Sequence, residues 1–131
     1  MSTNSEIVMS FIQAWNDMNW DGIEALFTDD VVYHNIPMSK LNGKTEAMTM
    51  IRGMQPQSVD WVVLNIAENG NVVMTERVDN FVMGDGKELS LPVMGTMEIA
   101  DGKISAWRDY FDLASFTSQA TVSPCMVSAT S

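Results

Sequence analysis

The chain has 131 residues, 46% of them apolar, and a formal charge of −10 from 17 acidic and 7 basic side chains. That length suits one compact domain over residues 1–131, with a core that needs no disulfide or metal to staple it, and the negative surplus argues against nucleic acid and anionic membranes as partners. The single cysteine, Cys125, allows no internal disulfide; with no basic, apolar leader at the N-terminus and no run of the roughly 18–20 apolar residues that span a bilayer, the expected location is the cytoplasm.

Ile7, Val8, Phe11, Ile12 and Trp15 recur at helical spacing and predict a first helix near residues 4–18, opened by a Thr3–Glu6 capping box. A second short helix starts at Asp21, with Ile23, Leu26 and Phe27 as its apolar face. Residues 31–36 read as a short strand closed by Pro37. Gly43 to Met54 reads as a third helix with Ala47, Met48, Ile51 and Met54 on one side, ended by Gln55-Pro56.

The pattern then changes to strands at 59–68, 71–83, 88–100 and 103–112. Asn69-Gly70, the Gly84-Asp85-Gly86 run and Asp101-Gly102 separate them as hairpin turns. Helices followed by a meander predict an α+β fold, its mixed, mainly antiparallel sheet curving around the helices as a cone with a pocket inside. Residues 117–131 are Ser/Thr-rich and weakly patterned, and are expected to form a flexible tail or an arm that docks on a neighbouring subunit. The twelve methionines serve equally as core filler or as an adaptable ligand surface.

Several chemistries are set aside. The one histidine, His34, leaves no Ser-His-Asp or Cys-His centre unless it serves itself, and it sits at opposite parity to its neighbours Tyr33 and Asn35, which suits a surface or subunit contact. There is no H-E-x-x-H motif and no cysteine pair, so no metal site is expected. Gly43-Lys44-Thr45 lacks the glycine of a phosphate loop, because position 38 is Met38.

What remains is a constellation of polar residues lodged in apolar strands. Side chains two apart on a strand share a face about 7 Å apart. One face of residues 71–83 carries Val73, Thr75, Arg77, Asp79, Phe81 and Met83; one face of 103–112 carries Ser105, Trp107, Asp109 and Phe111; one face of 31–36 carries Val31, Tyr33 and Asn35. An aspartate in such company costs several kcal/mol unless it is paired or neutral. Two bland readings stay open: Arg77 and Asp79 as a surface ion pair worth about 0–1 kcal/mol, and Asp109 on the outer face with Arg108 and Tyr110 inside. If Asp79, Arg77 and Asp109 meet in a cavity, repulsion and desolvation keep one carboxyl protonated while arginine holds the other ionised. Such a centre offers a proton donor and a proton acceptor together, the combination that opening an epoxide with water requires, with Tyr33 and Asn35 able to orient the water.

Tyr33-His34-Asn35-Ile36-Pro37, Glu76-Arg77-Val78-Asp79, Leu91-Pro92-Val93-Met94-Gly95 and Trp107-Arg108-Asp109-Tyr110-Phe111-Asp112 together resemble the limonene-1,2-epoxide hydrolase family, over about residues 5–116. The resemblance implies a nuclear-transport-factor-2-like (cystatin-like) cone and a homodimer, with one-step hydrolysis of a small cyclic or terpenoid epoxide to a vicinal diol and no metal, cofactor or covalent intermediate. It implies Asp79 as general acid, Asp109 as base with Tyr33 and Asn35 on the nucleophilic water, and Arg77 as the bridge. Phe81, Leu91, Val93 and Phe111 fall at pocket-facing parity, and Phe116 lies in the segment that covers the mouth. Two rivals stand beside this reading. One is a ketosteroid isomerase-like or polyketide cyclase-like enzyme on the same cone, which an arginine between two aspartates disfavours; the other is a non-catalytic binder of apolar ligands.

Overall fold

The computed structural model describes residues 3–120. Helix α1 (Asn4–Asn16) opens on the expected capping box: the Glu6 backbone N–H donates to Thr3 Oγ1 at 3.1 Å, and the Thr3 N–H donates to Glu6 Oε1 at 2.8 Å. It stops short of residue 18 because Met18 turns to φ 52° and breaks the helical path. Helix α2 (Trp20–Ala25) is capped by Asn19. Phe27, expected on its apolar face, is instead the buried first residue of strand β1 (Phe27–Asn35), tilted against Phe11. A two-residue strand, β2 (Leu41–Asn42), was not expected; helix α3 (Lys44–Met54) ends where Gln55 takes the left-handed conformation.

Strands β3 (Ser58–Asn69), β4 (Val72–Val82), β5 (Glu88–Ala100) and β6 (Lys103–Tyr110) form the meander. Asp101 and Gly102, both at positive φ, join the register partners Ala100 and Lys103 in a two-residue turn whose twist matches the strands it links. The expected strand end at 112 is corrected to Tyr110. The chain then enters helix α4 (Leu113–Ala120), so residues 117–120 are helical rather than tail; the rest of that segment lies outside the described residues.

The six strands form one curved, unclosed sheet in the order β2-β1-β6-β5-β4-β3. β1 runs parallel to β6, and every other neighbouring pair is antiparallel. Helix α1 packs on β3 and α3 on β1, closing the inner face. Phe11 and Trp15 of α1, Ile51 of α3, Val31 of β1, Met97 of β5 and Trp107 of β6 meet there, all essentially inaccessible to solvent. Burying each such side chain contributes about 1.5–3 kcal/mol, so truncating Trp107 to alanine at the centre of this cluster would cost about 3–5 kcal/mol.

One parity expectation fails for a local reason. Ser105 is an extra residue on β6: Glu98 pairs with Ala106 while Ile99 pairs with Ile104. This bulge flips the alternation, so Ile104 points inward and Ser105 lies half-buried with its hydroxyl donating to the Glu98 carbonyl at 3.2 Å. Beyond the bulge, Trp107 and Asp109 are buried, whereas Arg108 pairs with Glu98 at 2.6 Å and Tyr110 is exposed. The reading with Asp109 outside is thereby overturned.

Candidate active site

Alternation along β4 turns Val73, Thr75, Arg77 and Asp79 to the inner face, where none is more than 4% exposed. Arg77 and Asp79 are therefore no surface ion pair. Both guanidinium edges are engaged. Nε donates to Asp79 Oδ1 at 2.9 Å and Nη2 to Asp79 Oδ2 at 2.8 Å, a two-pronged pair. Nη2 also donates to Asp109 Oδ2 at 2.9 Å, and Nη1 donates to Thr75 Oγ1 at 3.0 Å. The two carboxyl groups thus share one nitrogen, which holds these oxygens within about 6 Å of each other. The remaining oxygen of Asp109 accepts the Trp107 indole N–H at 2.8 Å, and Arg77 Cζ lies 4.8 Å from the centre of the Trp61 ring.

Tyr33 and Asn35 come from β1, which the parallel junction sets beside β6: Tyr33 is the register partner of Trp107, and Asn35 of Asp109. The Tyr33 ring stacks flat on Trp107 at 4.0 Å, and Asn35 Nδ2 donates to the Tyr33 hydroxyl at 3.1 Å. The structure thus gathers all five polar residues expected from the sequence.

Electrostatics separates these groups. Burial pushes the Asp79 carboxyl up to about 6; the Arg77 hydrogen bonds and charge oppose that rise, and the Asp109 charge adds to it. Burial also works against the Arg77 charge, but Asp109 and Asp79 outweigh it and hold the guanidinium above its ordinary range. Tyr33 is raised far above the usual phenol range by burial, then by the Asp109 charge, so it stays a neutral hydroxyl.

The polar cluster floors a cavity of about 270 Å³. Asp79, Asp109, Tyr33 and Asn35 line it, as do Phe81, Leu91, Val93 and Phe111, expected there from strand parity, and Phe116, expected from the segment over the mouth. Phe116, on α4, packs edge-on against Phe111 at 5.8 Å. Sequence reasoning missed the opposite wall: Trp15 from α1, Trp61 from β3, Met50 and Met54 from α3, and Met38, Ser39 and Leu41 before it. Trp61 was findable, since Val59 and Trp61 alternate with Ser58 and Asp60; the helix and loop residues carry no such signal. Trp15 and Trp61 stack at 4.4 Å. Their indole nitrogens are buried without a hydrogen-bond partner among the described residues, so this wall is built of aromatic surface. Thr75, Trp107 and Gly95 were on the page of the sequence without a role.

His34 lies outside the cavity lining, its Nε2 3.0 Å from the Met38 carbonyl. Among the described residues no three His, Cys, Asp or Glu side chains stand together as a metal site would need, and no helix is long and apolar enough to cross a membrane.

Residues 2–121 match the limonene-1,2-epoxide hydrolase catalytic domain family. The chain is 34% identical to epoxide hydrolase EphG of Mycobacterium tuberculosis (strain ATCC 25618 / H37Rv) over 107 residues, 81% of this chain and 71% of that one. A solved structure of an LEH-like epoxide hydrolase from M. tuberculosis superposes with a TM-score of 0.80 at 29% identity, covering 98% of this chain and 96% of the other. An NTF2-like protein of unknown function from Cytophaga hutchinsonii ATCC 33406 shares the fold, with a TM-score of 0.74 at 23% identity over 88% of this chain and 96% of that one. With its fold, its buried Asp-Arg-Asp bridge and these likenesses in agreement, the chain belongs to the limonene-1,2-epoxide hydrolase family.

Proposed function

We propose that this protein is an epoxide hydrolase of the limonene-1,2-epoxide type, adding water to a small cyclic or terpenoid epoxide in one step to give a vicinal diol. The observation that carries the reading is the single Arg77 nitrogen shared by two buried carboxyl groups at the floor of an apolar cavity. A substrate suited to such a cavity has one polar end and a hydrocarbon body.

In this reading Asp109 takes a proton from water while the water oxygen attacks a ring carbon. The ring C–O bond breaks as its oxygen takes the proton of Asp79. Each transfer contributes about 10²–10⁴-fold. Tyr33 and Asn35 hold the water in line with the attacked carbon. Turnover leaves the proton on Asp109 and none on Asp79, so the pair resets by proton exchange once the diol departs. Donor and acceptor are both side chains, and no cofactor is assigned. Charge favours this reading over an isomerase-like one: an arginine that bonds both carboxyls favours an acid and a base side by side over a lone base.

Two further assignments accompany this reading. A homodimer fits the outer sheet face, where Val62, Leu64, Met74, Met94 and Tyr110 are exposed apolar side chains. The lone cysteine suits the cytoplasm.

The test is a panel of limonene, cyclopentene, cyclohexene and styrene oxides with chiral analysis of the diols. Diol from at least one cyclic epoxide, abolished in Asp109→Asn, is the expected result. Turnover of a β,γ-unsaturated ketone with none of any epoxide would favour the isomerase-like rival instead.

A further inference from the structure

Five of the glycines in the strands and turns around the sheet divide by cause. Gly43, Gly70, Gly86 and Gly102 stand at positive φ, where a side chain is strained, and three of them have nothing within 4 Å of where a Cβ would stand. Gly95 is different. It is buried in the middle of β5 with ordinary extended backbone, so its conformation asks for no glycine, and a glycine there weakens the strand. What surrounds it is the proposed active site. A Cβ at position 95 would lie 3.2 Å from Thr75 Oγ1, 2.5 Å from Asp109 Oδ1 and closer still to Arg77 Nη1.

Register explains the crowding. Thr75 on β4, Gly95 on β5 and Asp109 on β6 are successive partners in one row across the sheet. Arg77 is rooted on β4, and Asp109 lies two strands away, at about 10 Å given the spacing of neighbouring strands. Any side chain on the middle strand of that row would stand between the guanidinium and its second carboxylate.

We propose that Gly95 is a positioning residue for the reaction: its missing Cβ opens the passage through which Arg77 crosses β5 to reach Asp109. This rests on the epoxide-hydrolase reading for its consequence in turnover, but not for the bridge itself. The Asp79 half of the bridge lies on the same strand as Arg77 and survives a side chain at 95; the Asp109 half does not. Substitution therefore uncouples the base from the arginine and leaves the cavity walls untouched.

The experiment compares the parent and Gly95→Ala by steady-state kinetics on cyclohexene oxide and by nitrogen-15 NMR of the Arg77 side chain and the Trp107 indole, whose N–H bonds Asp109. The proposal expects kcat to fall about tenfold or more with KM within about twofold, and the Arg77 and Trp107 signals to shift. Parental signals from both groups in a folded Gly95→Ala protein would overturn it, whatever the rate. If the parent makes no diol from any epoxide, the hydrolase reading fails while the NMR comparison still decides the role of Gly95. Should Gly95→Ala not fold, Arg77→Met is made alone and with it. Folding of the double variant supports the proposal, because the clash was with the guanidinium; collapse of the double variant beside a folded Arg77→Met overturns it.

Discussion

Asn35 lies directly beside Asp109 across the one parallel junction of the described sheet, between β1 and β6. Parallel partners present their side chains to the same face, so the amide of Asn35, tied to the Tyr33 hydroxyl at 3.1 Å, stands at the edge of the carboxylate proposed as base. The strands that make this pairing are separated by about half of the chain. Helix α3 and the strands between them carry β6 back to β1, and the fold thereby gathers a carboxylate, an amide and a phenol into one corner.

That corner gives the first prediction. Tyr33→Phe removes the hydroxyl but keeps the ring stacked on Trp107. We expect kcat to fall about 10–100-fold through loss of water orientation, with the melting temperature within a few degrees of the parent's. Steady-state kinetics alongside thermal unfolding checks this; a phenylalanine variant with full activity would remove Tyr33 from the mechanism.

The two carboxyls are predicted to be separately essential. Asp79→Asn keeps the shape of the acid without its transferable proton, and Asp109→Asn keeps the shape of the base without its charge. Each should lower kcat by about 10²–10⁴-fold, with circular dichroism unchanged. Because both act on one reaction step through one arginine, the double variant should lose far less than the product of the two single losses.

The pH dependence follows from Asp79, whose carboxyl is pushed up to about 6. As a general acid it must be protonated, so kcat/KM should fall by about tenfold per pH unit above that value. The same shift acts on stability. A carboxyl raised in the folded state binds its proton more tightly there than in the unfolded chain, so its contribution is full below the ordinary carboxylate range and is lost as pH rises through about 6. A pH–rate profile measured with chemical denaturation at the same pH values tests both. A rate that stays flat from acid to alkaline pH would show that Asp79 donates no proton.

Strand alternation made most of this site legible before any coordinates. Val73, Thr75, Arg77 and Asp79 face one way because β4 is regular across that stretch, and Phe81, Leu91 and Val93 follow the same rule. The rule broke at Ser105, because a single inserted residue inverts every side chain on one side of it. Phe27 was misread because a buried aromatic fits a helix face and a strand start equally well. Helix α4 escaped because its Ser- and Thr-containing sequence competes locally with helix formation. The wall of Trp15, Met50 and Met54 depends on how α1 and α3 lie over the sheet, which periodicity does not encode. Gly95 contributes by absence, and an empty volume has no sequence signal.

The unforeseen wall yields a specificity prediction. Met54 is half-buried at the end of α3 and lines the cavity. Met54→Ala should enlarge the cavity at a cost in stability of about 1–2 kcal/mol, below the fully buried case, and raise the ratio of kcat/KM for limonene oxide over cyclopentene oxide by about 10-fold. Competition between the two epoxides in one vessel, followed by chromatography of the diols, reads that ratio directly; an unchanged ratio would exclude Met54 from substrate contact.

In the proposed reaction water, activated at Asp109, attacks the epoxide itself and no enzyme carboxylate does. A single turnover in ¹⁸O-labelled water, with enzyme in excess of substrate, separates the two routes. One heavy oxygen is expected in the diol and none in the peptides that carry Asp79 and Asp109. An unlabelled diol with label in either aspartate would contradict it.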